Sequence, residues 1–284
     1  MSKQIGLLAI LLTIMTVAYG GPLRQLENYW ANDPQYSHGY LVPIFALYLL
    51  WMRRGQIRLE TKDKQILLGF GLIFLGCGIR WVGHRFNFQT LEFISLIPCL
   101  GGIFLIVGGW TYLKWSWPAL LFLVFMIPLP HRVSIMLAYP LQRLATIVSA
   151  YIMQLFGLPA LAEGNIILLN EVEIGVVEAC SGLRMLMVFI ALSSAVALIS
   201  TSPTWEKCII IVSALPIAIM ANLIRIIGTG MMYNSAHNEL AEHFFHNMAG
   251  WLMMPIGLCL LWIEILILNH LLITDTNQTV YETA

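Results

Sequence analysis

The chain has 284 residues, of which 59% are apolar or aromatic and 11% charged, with a mean hydropathy of +0.79. A soluble domain carries about 25% charged residues because its surface must be solvated, so this composition excludes a soluble enzyme and a disordered chain. Fifteen basic against fifteen acidic residues leave no net charge, which excludes a nucleic-acid-binding stripe.

A helix needs about 20 apolar residues to cross a hydrocarbon core of about 30 Å. Runs that meet or approach this length lie near residues 5–20, 38–52, 66–80, 91–109, 116–130, 183–200, 207–228 and 247–269. They predict an all-α polytopic membrane protein of about eight transmembrane helices. Residues 1–284 are expected to form a single integral membrane domain with no separate soluble domain. The first run, preceded by Lys3 and followed by Ala18-Tyr19-Gly20, has the outline of a signal peptide. With so many later spans, an uncleaved first helix is the more economical reading.

The loop after the second run, RRGQIRLETKDK, carries Arg53, Arg54, Arg58, Lys62 and Lys64. Basic residues in short loops stay on the cytoplasmic side, so this loop and both termini are expected there. Residues 134–157 hold Pro140, Gln142 and Arg143 near their middle. A mid-bilayer arginine is costly, and an amphipathic helix along the outer interface fits better than a ninth span. Segment 158–182 then lies outside, with Glu163, Glu171, Glu173 and Glu178 and no lysine or arginine. Its Ile/Val content and the turn pair Gly164-Asn165 read as a short extracytoplasmic β-hairpin or an irregular loop.

The cysteines, Cys77, Cys99, Cys180, Cys208 and Cys259, are widely spaced and contain no CxxC, so they form neither a disulfide framework nor a zinc ribbon. Four lie in apolar runs as small hydrophobes. Cys180 differs: it sits in GVVEACSGLRML, just before the sixth run. Asn222 and Arg225 lie near the end of the seventh run, and His246 at the entrance of the eighth. Successive spans alternate in direction, so these three ends share one membrane face. A thiol, a guanidinium and an imidazole meeting there are the parts of an acyl-transferring cysteine enzyme. The thiol pKa falls at a helix N-terminus or beside a cation, here Arg184, Arg225 or His246. Imidazole shuttles the proton, and a fixed guanidinium stabilises an oxyanion. Ser181-Gly182 allow a tight turn with free backbone N–H groups, and Glu178 can orient a cationic partner by a charge-assisted hydrogen bond. A zinc site from Cys180, His243 and His246 lacks an evident fourth ligand beyond Glu178, so no metal is expected. Glu264, deep in the eighth run, is functional by default but remains unconnected to the outer site.

These same residues carry a family resemblance. EACSGLR at 178–184, NLIRIIG at 222–228 and FHNMAGW at 245–251 resemble the three signature motifs of the exosortase/archaeosortase family. YSHGYLVP at 36–43 and the run from PLPHRV to PLQRLA within 128–145 resemble bacterial exosortases as well. The resemblance implies a transpeptidase integral to the bacterial cytoplasmic membrane, analogous to sortase but unrelated in fold. Its active site would face the extracytoplasmic side. Its partners would be membrane-anchored proteins with a C-terminal sorting signal: a motif such as Pro-Glu-Pro, a transmembrane helix and a basic tail. By motif, Cys180 is the nucleophile, Arg225 the invariant arginine and His246 the proton-transfer residue, with His243 its local competitor. No cofactor and no nucleic acid are implied, and the oligomeric state stays open. The competing readings are a polytopic transporter and a purely hydrolytic intramembrane protease.

Overall fold

The computed structural model describes residues 2–56, 65–169, 172–175, 182–235 and 249–271. These residues are mostly helical and fall into two compact units, one up to Leu137 and one from Ala138. The division lies inside a helix rather than in a polar linker.

In the first unit, α1 (Ser2–Ala18) and α2 (Gly20–Asn32) meet at a bend of 69°. Tyr19 at the bend is buried; its hydroxyl shares a hydrogen bond with Ser95 Oγ (2.8 Å), and the Arg80 guanidinium stacks 4.5 Å over its ring. A 3₁₀ segment (Pro34–Tyr40) then leads into α3 (Leu41–Met52). α4 (Ile66–Arg85) presents Gly69, Gly76 and Gly83, at every seventh position, to α5 (Gln89–Ile94) and α6 (Leu96–Phe122). A Cβ at Gly69 or Gly76 would meet the Gly102 or Ser95 carbonyl oxygen at 2.9 Å. Small residues in this register let two apolar helices approach closely where lipid offers no hydrophobic driving force. The opposite face of α4, with Leu67 and Phe74 more than 80% exposed, is suited to lipid.

α6 is one helix by hydrogen bonding but two by path. Gly109 breaks it with φ 64° and ψ −157°. Beyond the break, Trp115 stacks edge-on to Phe104 (centroids 5.9 Å), and Leu113 and Leu120 come within 3.7 Å of a Cβ placed on Gly101. In a straight helix Gly101 and Leu120 would stand about 28 Å apart, so the chain folds back at Gly109 into two antiparallel arms. The fold-back and the turn after α3 share an end, because Trp115 Nε1 donates to the Leu50 carbonyl (3.1 Å) and Arg53 to the Lys114 carbonyl (3.4 Å). At the other end Trp30 Nε1 donates to the Met126 carbonyl (3.0 Å).

α7 (His131–Leu155) runs unbroken through Pro140, Gln142 and Arg143. Gly157, at φ 80°, closes it, with the Leu158 N–H returning to the Met153 carbonyl (3.0 Å), the usual way to satisfy late helical carbonyls. The segment expected as a hairpin or loop is a three-stranded antiparallel sheet: β1 (Ala160–Glu163), β2 (Ile166–Leu169) and β3 (Val172–Gly175), in that order. Its register pairs Glu163 with Ile166 and Leu169 with Val172. Gly164, at φ 60°, supplies the left-handed residue that a two-residue hairpin turn requires. Ile167, Leu169 and Ile174 pack with Met153 of α7 and with Leu223 and Ile226 of α9 (Thr204–Ser235) in the core of the second unit. α8 (Gly182–Ile199) and α10 (Ala249–Leu271) complete the described helices.

Among the described residues, four helical stretches are long and apolar enough to cross a membrane: Ile66–Arg85, Gln89–Met126, His131–Leu155 and Thr204–Met232. The bent pair α1–α2 makes a fifth candidate. The described residues thus show four or five candidate spans, not the eight expected. The α3 helix has 12 residues, about 18 Å at the helical rise. Leu183–Ile199 and Pro255–Leu268 are also short, and the runs 91–109 and 116–130 lie in one helical stretch that folds back at Gly109. The segment expected to lie along the interface, 134–157, falls in a helix that is long and apolar enough to span.

Candidate active site

The second unit gathers three helix ends. A short turn at residues 200–203 joins α8 to α9, and Leu186 of α8 packs level with Ala218, Ile219 and Asn222 of α9. The pair is thus antiparallel, and Leu183, one turn nearer the start of α8, lies toward Arg225. Small residues make the packing close: Ala214, Ala218 and Ala221 of α9 receive Leu183, Leu186 and Phe189. α10 is pinned at two points. Ser213 Oγ donates to Glu264 Oε2 (2.7 Å), and Gly257 packs so tightly on the Phe189 ring that a Cβ has no room there. From these points the Arg225 end of α9 lies about 18 Å along its axis, and the starts of α8 and α10 lie about 10 and 12 Å along theirs, in the same direction. The start of α8, the 222–225 turn of α9 and the start of α10 therefore share one end.

Among the expected site residues, Gly182 is the first residue of α8 and Arg184 stands half-buried in its first turn. Arg225 is half-buried, and its carbonyl accepts from Thr229 Oγ1 (2.9 Å). Asn222, 4% exposed, shares a helix face with Arg225 at a spacing of three. Its Oδ1 finds no hydrogen-bond partner among the described residues. It borders a crevice of about 10 Å³ with Leu141, Ala145 and Leu186, at the lower bound for one water molecule. Cys180, His246, Glu178, Ser181 and His243 lie outside the described residues.

The Arg184 and Arg225 side chains, half-buried, and the buried Asn222 amide thus lie toward the end of the unit where α8 begins. Glu264 belongs elsewhere, since its partner Ser213 is about 18 Å along α9 from Arg225. Among the described residues no group of three or more His, Cys, Asp or Glu side chains is placed to hold a metal. Cys77, Cys99, Cys208 and Cys259 are free thiols; Cys99 is buried against the Tyr19 hydroxyl.

The first unit holds a feature that the pattern of residues does not announce. YSHGYLVP and PLPHRV, far apart in sequence, come together: Tyr36 Oη lies 3.4 Å from Ser134 Oγ, and His38 Nε2 lies 3.2 Å from the Phe125 carbonyl. Tyr36 and residues 128–134 line a cleft of about 1060 Å³. The one sequence signal was the interruption of apolar runs by prolines and polar residues at both places.

The apolar, lipid-suited helices define an integral membrane protein. The chain belongs to the transmembrane exosortase family, whose family model (Exosortase_EpsH) matches residues 30–263. These proteins are known as membrane cysteine transpeptidases. No curated protein and no solved structure matches this chain.

Proposed function

We propose that this protein cleaves the C-terminal sorting signals of exported, membrane-anchored proteins at the extracytoplasmic face of the membrane, through Cys180, His246 and Arg225. The observation that carries the proposal is the shared end of α8, α9 and α10. Two residues before α8 stands Cys180, Arg225 is on the converging turn of α9, and His246 precedes α10 by three positions. The chain crosses the bilayer about eight times, with the two arms of α6 counted separately and residues 134–157 along the outer interface.

The thiolate of Cys180 attacks the scissile carbonyl carbon, and the negative charge passes to the carbonyl oxygen. Arg225, with backbone N–H groups at Ser181-Gly182, holds that oxyanion. His246, having taken the thiol proton, returns it to the departing amine as the C–N bond breaks, leaving a thioester. An amine or water then attacks the thioester, gives its proton to His246 and releases the thiolate. Arg184 and Glu178 tune and orient the charged groups, Asn222 supports Arg225 from the same helix face, and His243 is the alternative proton carrier.

The test is co-expression with a protein bearing a Pro-Glu-Pro tail signal, wild type against Cys180→Ala, followed by mass analysis of the substrate's new C-terminus. Loss of processing in the variant is expected. A free carboxylate then identifies hydrolysis, and an added mass identifies the acceptor amine. Processing that persists without the thiol would overturn the proposal.

A further inference from the structure

The end of the first unit opposite the basic turn after α3, where Trp30 and Met126 meet, carries two cavities to which the catalytic chemistry assigns no part. The larger is the cleft of about 1060 Å³ between the end of α2, the α4–α5 turn and the start of α7. The second, of about 360 Å³, lies along α2 and shares Tyr29, Asp33 and Gln89 with the first. The two meet where Tyr29 Oη donates to Gln89 Oε1 (2.7 Å), and together they form one groove. Gln25, Asn28, Tyr29 and Asn32 stand at i, i+3, i+4 and i+7 of α2, a single stripe about 10 Å long. Every member of that stripe carries a hydrogen-bonding group and none carries a charge. The charged Arg24 and Glu27 of the same helix do not line the groove.

We propose that this groove binds an uncharged saccharide chain at the extracytoplasmic surface, the side left to it when the basic turn is held in the cytoplasm. A sugar hydroxyl both donates and accepts, and so does a side-chain amide, with two N–H donors and a carbonyl acceptor. Gln25, Asn28 and Asn87 are exposed, and their amides make no hydrogen bond with any described residue. Gln89 keeps both amide donors, because the bond from Tyr29 uses only its oxygen. Asp33 accepts the Gln35 N–H through Oδ1 (2.8 Å) and keeps its second oxygen for a hydroxyl. Phe86 and Phe88 stand exposed on the wall of the larger cavity, and flat apolar rings of this kind are what the C–H face of a pyranose stacks on. The formal charges of the walls, Asp33 and Arg132, are opposite, so the groove as a whole favours neither an anion nor a cation. All described strands belong to the second unit, and an extended peptide finds no described sheet edge to join here. An amide stripe about 10 Å long that leads into an aromatic-walled cleft suits a chain of rings better than one ring. The assignment does not depend on the proposed cleavage chemistry.

Binding is measured on the full-length protein in a polyoxyethylene detergent, which carries no sugar, by fluorescence anisotropy of labelled hexasaccharides of glucose, N-acetylglucosamine and mannose. Hexagalacturonate and a Pro-Glu-Pro peptide serve as the anionic and peptide comparisons. At least one neutral chain should bind about ten-fold more tightly than either comparison. Asn28→Ala and Gln89→Ala should each weaken that chain about ten-fold, as the loss of one or two hydrogen bonds implies. Phe86→Ala should weaken it as well, whereas Glu27→Gln, off the stripe, should leave it unchanged. Thermal unfolding run alongside separates lost binding from lost fold at these exposed positions. Competition by the dodecyl glycoside of the bound sugar, set against the free sugar, tells a lipid-linked source from a free chain, and either result keeps the saccharide assignment. Failure of all three neutral chains to bind would overturn the proposal. So would tighter binding of the uronate or the peptide, or undiminished binding in folded Asn28→Ala and Gln89→Ala.

Discussion

The contact between α4 and α6 can be tested at Gly102. A Cβ at this position would stand 2.6 Å from the Gly69 carbonyl oxygen, 2.7 Å from Ile73 Cγ1 and 3.1 Å from Ile73 N. Two of these three atoms are backbone, so no rotamer change relieves the clash. A carbon and a carbonyl oxygen sit comfortably at about 3.3–3.6 Å, and Gly102→Ala therefore pushes the helices apart by about 0.7–1 Å. A gap of about 0.5–1 Å forfeits a quarter to a half of each dispersion contact across it, and overpacking of this kind costs about 1–3 kcal/mol. Replacing glycine by alanine within a helix returns up to about 1 kcal/mol. The net expectation is a loss of about 1–2 kcal/mol. The control is Gly78→Ala on the same helix pair: its Cβ meets nothing within 4 Å, so it should be neutral or stabilising by up to about 1 kcal/mol. Reversible unfolding of both variants in mixed micelles of mild detergent and dodecyl sulfate measures the difference. Equal stability of Gly102→Ala and wild type, or equal losses in both variants, would refute the close glycine contact.

Three further outcomes are expected. Arg225→Lys should abolish processing while the protein still folds and inserts, because lysine keeps the charge but loses the planar fork; full activity in the co-expression assay would show that charge alone suffices. Asn222→Leu should keep stability within about 1 kcal/mol, since the amide oxygen it removes from an apolar crevice has no described partner, yet it should slow processing; a large stability loss with normal turnover would make Asn222 purely structural. Trp30→Phe removes the donor to the Met126 carbonyl and should cost about 1–2 kcal/mol in the same unfolding assay, with no loss marking the bond as immaterial.

Membrane residence was determined by composition alone, because a chain that is 11% charged has too few charges to solvate a globular surface. The common direction of the last three helices was legible too: alternation is a matter of counting, and the start of α8, the Arg225 turn and the start of α10 lie toward one end of the second unit. The sheet was legible in part, as Gly164-Asn165 and Leu169-Asn170 are turn signals and the residues after them roughly alternate, whereas the pairing of three strands rather than two was not. Other features belonged to the tertiary structure. The break between the runs 91–109 and 116–130 was legible, but the packing of the two arms of α6 on each other across Gly109 was not. The seven-residue glycine spacing of α4 acquires meaning only opposite the Gly102 and Ser95 carbonyls. The cleft brings Tyr36 beside Ser134 through contacts between distant helices. Hydropathy reports the solvent each residue faces, one position at a time; which distant segment it touches is decided by packing, which depends on shape in three dimensions.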